Sequence, residues 1–280
     1  MSHTLKDIAV FFDTSPSGLN VLEIAARLAG EQRAYLIGIS AVAEDGTIIE
    51  DGFARGKAVH EVAEQKQHLV AARLSQVRHA LAAAAARHGV NEEFRVVPYT
   101  QSGGEAALHA LYCDLLVVGS PAVGAPLSWS AVQVLQCTGM PLLIVPAGWN
   151  STIVGRRIAV AWNASRPARR ALDDALPLMT AAESVDVLIV DPQRGSRRHG
   201  EEPGADIASY LARHEVSVEV RRMDSQGEPV AEILLRDAAE HGADLVVFGA
   251  YSSSRVSEAI FGGVTRTLLE SDRLPLLVSH

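Results

Sequence analysis

The strongest constraint in this sequence is that it repeats itself. Asp7-Ile8-Ala9-Val10-Phe11-Phe12-Asp13-Thr14-Ser15 returns as Arg157-Ile158-Ala159-Val160-Ala161-Trp162-Asn163-Ala164-Ser165, an offset of 150. Each run is apolar, ends in a polar turn and leads into a helical pattern, Leu19 to Leu28 and Ala168 to Met179. A second apolar strand follows each helix, Ala34 to Ile39 and Val185 to Val190. Later, Asp114-Leu115-Leu116-Val117-Val118-Gly119 recurs as Asp244-Leu245-Val246-Val247-Phe248-Gly249. Pro141-Leu142-Leu143-Ile144-Val145 likewise recurs as Pro275-Leu276-Leu277-Val278-Ser279. Three elements echoed in the same order indicate duplication. The 280 residues divide into copies at 1–150 and 151–280, each of ordinary domain size. Between them, Pro146-Ala147-Gly148-Trp149-Asn150-Ser151 has the turn chemistry of a linker.

Apolar strands without strict alternation, separated by helices, predict a parallel sheet covered on both faces. The fold class is therefore α/β, with two tandem open parallel-sheet domains of five strands each. The copies differ in the middle. Gly104-Glu105 matches Gly227-Glu228 at an offset of only 123, so the first copy carries 27 extra residues before that pair. Much of the excess is a helical run from Lys57 to His88, with Val62, Leu69, Val70, Leu74, Val77, Leu81 and Ala85 as its apolar stripe. That stripe is expected to pack on the copy's own sheet.

The net charge of −8 is shared as −4 on residues 1–152 and −4 on 153–280, so neither half is basic and no nucleic-acid partner is expected. Two cysteines, Cys113 and Cys137, form no metal or redox pair and fit a reducing compartment. Residues Met1 to Asp7 lack a signal-peptide pattern, and no apolar run is long enough to span a membrane. The expected location is the cytoplasm.

In the second copy, Gly249-Ala250-Tyr251-Ser252-Ser253-Ser254-Arg255 is followed, after the nine residues 253–261, by Gly262-Gly263-Val264. With the repeat, this spacing resembles the universal stress protein family in its tandem two-domain form, over nearly the whole chain. That family's loop is patterned G-x-x-G, nine residues, then G-S or G-T. Here Ser252 stands at the second glycine, Gly263 at the Ser/Thr, and Asn163 where the family has Asp. The resemblance implies a Rossmann-like sheet of the adenine nucleotide alpha hydrolase type, with strand order 3-2-1-4-5. It also implies that the chains' last strands, Leu142–Val145 and Leu276–Val278, pair the copies as a pseudo-dimer. A homodimer and a protein partner are further expectations of the same kind.

Such a sheet binds ligands beyond the carboxyl ends of its strands, where the strand order reverses. The turn after strand 1 and the loop after strand 4 then meet. The site set is Ala161, Trp162, Asn163, Gly249, Ser252, Ser253, Ser254, Arg255, Gly262, Gly263 and Val264, and the implied ligand is ATP, ADP or AMP, with Mg²⁺ as an accessory. Glycines admit close approach of backbone N–H groups to phosphate, serines add hydroxyl donors and Arg255 adds charge. In the first copy, four residues are missing between Gly119 and Pro141 relative to the second, and Ser128 and Trp129 replace the glycine pair. That copy is read as a degenerate site, with Asp13 kept as a helix cap.

Other signals carry less. Gly52-Phe53-Ala54-Arg55-Gly56-Lys57-Ala58 has three residues between its glycines where a P-loop has four. His60-Glu61-Val62-Ala63-Glu64 lacks a zinc helix's second histidine. Nothing near the proposed phosphates reads as a general base, so a stress-response binding protein is favoured over an enzyme. An interaction scaffold without nucleotide, and a weak ATP hydrolase, remain the alternatives.

Overall fold

The computed structural model describes residues 4–43, 57–99, 108–120, 135, 138–195, 201–250 and 263–280. The strands are β1 (Asp7–Phe11), β2 (Tyr35–Ala43), β3 (Glu92–Tyr99), β4 (Leu115–Gly119), β5 (Leu142–Val145), β6 (Arg157–Ala161), β7 (Ser184–Val190), β8 (Val218–Met223), β9 (Leu245–Gly249) and β10 (Leu276–Ser279). The helices are α1 (Pro16–Gln32), α2 (Lys57–His88), α3 (Arg166–Met179), α4 (Ala205–Arg213), α5 (Val230–Glu240) and α6 (Gly263–Leu269). All ten strands form one sheet in the order β3-β2-β1-β4-β5-β10-β9-β6-β7-β8. Each half therefore has the 3-2-1-4-5 order. Every neighbouring pair is parallel except β5 and β10, which are antiparallel, with Leu276 opposite Ile144, Leu277 opposite Leu143 and Val278 opposite Leu142.

The inner strands β1, β4, β5, β9 and β10 are apolar at nearly every position because both sheet faces are covered there, whereas the outermost strands β3 and β8 carry charged residues. One face packs Val21, Leu22 and Ile24 of α1, Val77 and Leu81 of α2, and Leu172 of α3 into a single cluster spanning both halves. The opposite face packs Leu234 and Leu235 of α5 and Leu268 of α6 with Leu116, Leu142, Val246 and Leu276. Trp149 packs against both clusters, and Asn20 of α1 donates to its carbonyl at 2.6 Å. The connection between the copies is thus anchored, although its sequence reads as a loose linker. Among the described residues, no helix is long and apolar enough to cross a membrane.

The repeated acids have a structural reason. Asp114, just before β4, accepts the backbone N–H groups of Lys6 at 2.6 Å and Asp7 at 3.0 Å. Asp244, just before β9, accepts those of Gly155, Arg156 and Arg157 through Oδ1 at 2.9, 2.9 and 3.1 Å. Each carboxylate ties the entry of its half's first strand to the entry of the fourth. Burial nevertheless pushes the Asp244 carboxyl above its usual value, against the pull of those N–H donors. Cys113, next to Asp114, is a buried thiol that desolvation pushes up to about 11, which makes it a poor nucleophile.

The helix over Lys57–His88 forms as expected, but its stripe packs only in part. Val77, Leu81, Ala84 and Ala85 are buried, whereas Leu69 is 65% and Val70 37% exposed. The cause is length: 32 helical residues span about 48 Å and the eight of β3 only about 26 Å, so the start of α2 has no sheet beneath it. Its end is fixed by Glu23 of α1, which pairs with Arg87 and, at 2.8 Å, with His88. Burial works to raise the Glu23 carboxyl, but hydrogen bonds from Arg87 and His88 outweigh it and hold the group below its usual value. A depressed carboxyl contributes stability that is present above its unfolded pKa and lost as pH falls through the folded value. Glu23→Gln is therefore expected to lower the urea midpoint at pH 7, with the gap from wild type shrinking as the pH falls below 4. A gap that stays constant down to pH 3 would refute this.

Candidate functional site

The order of the second half reverses between β6 and β9: the chain moves outward from β6 to β7 and β8, then returns to β9 on the other side. At this point a crevice of about 120 Å³ opens beside the carboxyl ends of the strands. Its walls are Ala161 from β6, Leu188 and Val190 from β7, Phe248 and Gly249 from β9, Val230 and Leu234 from α5, and Leu268 from α6. Trp162, Asn163, Val264 and Thr265 also line it. The interior is mostly hydrocarbon and aromatic surface. Its polar side chains, Trp162, Asn163 and Thr265, carry no net charge.

Asn163 follows β6 and is exposed. Its Oδ1 accepts the backbone N–H of Ser165 at 3.2 Å, and Ser165 Oγ accepts that of Ala168 at 3.3 Å, capping α3. The carbonyl end of Asn163 is thus engaged locally. Its Nδ2 has no hydrogen-bond partner among the described residues, so it remains a donor for a ligand. The first half repeats this device with an acid: Asp13 Oδ1 accepts Ser15 N–H at 2.9 Å, and Ser15 Oγ accepts Gly18 N–H at 3.0 Å. The expectation that Asp13 caps α1 is corrected here. Ser15 is the cap, and Asp13 orients it.

Gly249 also changes its reason. A Cβ there would lie 2.1 Å from the carbonyl carbon of Pro167 and 2.3 Å from Ala168 N, so the missing side chain admits the first turn of α3. The close approach that glycine allows here is between β9 and α3. Gly263 is exposed, and a Cβ built on it would meet nothing within 4 Å, so packing does not demand glycine there. Ala161, Trp162, Asn163, Gly249 and Val264 are brought together around the crevice, and Gly263 is the residue before Val264 at the start of α6. Ser252, Ser253, Ser254, Arg255 and Gly262 lie outside the described residues, as does the first-half loop with Ser128 and Trp129.

The sequence reading did not find the crevice's apolar walls. Leu188 and Val190 are alternate residues at the end of β7, which places them on one face; that period of two was the available signal. It also missed a clasp beside Val190. Asp191, with φ of 50°, accepts from Ser225 N at 2.8 Å and Ser225 Oγ at 2.6 Å, joining the ends of β7 and β8. The clasp fixes the outer wall of the crevice.

Residues 155–280 match the universal stress protein family. No curated protein is significantly similar to the chain. In the solved structures, a universal stress protein from Archaeoglobus fulgidus DSM 4304 shares the fold at a TM-score of 0.67 and 14% identity, over 98% of this chain and 97% of that one. A protein of unknown function from Pseudomonas aeruginosa PAO1 does so at a TM-score of 0.63 and 14% identity, over 98% and 92%. At that identity the likeness concerns architecture, and the family assignment comes from the second half. Residues 155–280 thus form a universal stress protein domain, and the chain as a whole shares the architecture of a universal stress protein.

Proposed function

We propose that this chain is a cytoplasmic stress-response protein that holds an adenine nucleotide, ATP or its relatives ADP and AMP, in its second half. The observation that carries the reading is the crevice at the point of strand-order reversal, where open parallel sheets bind ligands. Its apolar walls suit a planar base, which Phe248 contacts as an aromatic surface. Asn163 Nδ2 supplies a donor at the rim. The phosphates extend toward the glycine- and serine-rich stretch from Gly249 to Gly263.

The reading is one of binding. None of the described residues lining the crevice is a carboxylate or an imidazole, so none there can act as a general base. Asn163 brings no negative charge for a bridging Mg²⁺, so affinity is expected to change little when magnesium is added. The test is calorimetric titration of the full chain with ATP, ADP and AMP, with and without magnesium. Saturable uptake below about 1 mM supports the proposal. No uptake of any of the three at millimolar concentration would overturn it and leave the interaction scaffold as the better reading.

A further inference from the structure

Each half of the repeat is a control for the other. Phe11 ends β1 where Ala161 ends β6, and both side chains pack against the cluster on the sheet face that carries α5 and α6. One strand over, Val118 of β4 is the register partner of Phe11. In the second half, the position of Val118 is taken by Phe248. The two halves therefore use one large and one small residue at this pair of places, with the sizes exchanged. Ala161 and Phe248 both line the crevice, and the space above Ala161 is what a ring at that position would fill.

The geometry points to Phe11 as a plug: its ring occupies the first half's counterpart of the crevice, and Ala161 is the residue that admits a ligand to the second. The chain then takes one planar aromatic ring of purine size. Only the identity of that ring rests on the nucleotide reading above; the steric exchange rests on the two halves themselves. It gives the first half a reason for being closed that is independent of its loop, because the obstruction lies inside the sheet face.

Adenosine is the probe, since it carries the ring without phosphates. Equilibrium dialysis on full-length protein is expected to give one site per chain for wild type, none for Ala161→Phe and two for Phe11→Ala. Because Phe11→Ala leaves a void that can weaken folding, Phe11→Ala with Val118→Phe is run beside it. That pair copies the second half's arrangement, restores part of the volume lost at Phe11, and is expected to gain the second site as well. Wild type with one site and both first-half variants also with one would overturn the inference while keeping the nucleotide reading. Wild type with none and a first-half variant with one would support the plug and overturn the second-half reading. No uptake by any form would overturn both.

Discussion

Gly249→Ala is expected to destabilise the protein by about 3 kcal/mol, at the upper end of what overpacking costs. The direction is the informative part. At a site whose backbone any residue can adopt, Gly→Ala stabilises by about 0.4–1 kcal/mol, because the unfolded chain loses freedom. At Gly249 the new methyl group would meet the backbone of Pro167 and Ala168 at 2.1 to 2.4 Å. Backbone cannot rotate away as a side chain can. Either the first turn of α3 or the end of β9 must move, and the Ser165 cap sits on that turn. Gly263→Ala is the control, because its methyl group would meet nothing within 4 Å. Urea unfolding of the two variants should show a large downward shift of the midpoint for the first and almost none for the second. Equal midpoints would refute the close approach of β9 and α3.

Leu277→Ala is expected to cost about 4 kcal/mol, and Leu277→Asp more, since an unpaired carboxylate would then sit in the buried seam between the halves. Leu277 is fully buried and lies opposite Leu143, also fully buried, in the one antiparallel strand pair of the sheet. Both apolar clusters run through this seam, so the void would be felt by α1 and α3 on one face. It would be felt less on the other, whose seam contacts come from Leu276 and Val278. A loss smaller than about 1 kcal/mol in urea unfolding would show that the halves do not depend on each other here. Exposure of a loose seam would also be visible as faster amide exchange confined to β5 and β10.

Repetition made the architecture legible. Each apolar strand and each Asp before β4 and β9 appears twice, so a single reading was checked inside the same chain. The 3-2-1-4-5 order came through resemblance and stands in both halves. What the sequence could not show was which small residue answers which large one. Phe11 and Ala161 align by number, yet their meaning depends on Val118 and Phe248, more than eighty residues away and one strand over. Gly249 was visible as a glycine, but its partner is the backbone of Pro167, and a backbone contact leaves no letter in the sequence. The fate of α2 depended on comparing its length with that of the strand beneath it. Periodicity alone described Leu69 and Leu81 identically, although only one of them has a sheet to pack on.

The antiparallel meeting of β5 and β10 has a consequence at the scale of the whole molecule. It turns the second half end for end relative to the first, so the carboxyl ends of the two sets of strands open on opposite rims of one continuous sheet. A duplicated protein with two matching pockets would look the same from either rim. Here one rim carries Ala161 and the other Phe11, which gives the molecule a polarity that its topology alone lacks. If the Phe11 ring closes the first half as proposed, a partner sensing whether the crevice is filled would have the β6–β9 rim to read. A partner gripping the opposite rim would meet the same surface in either state. On that proposal the chain would separate a variable end from a constant one within a single continuous sheet.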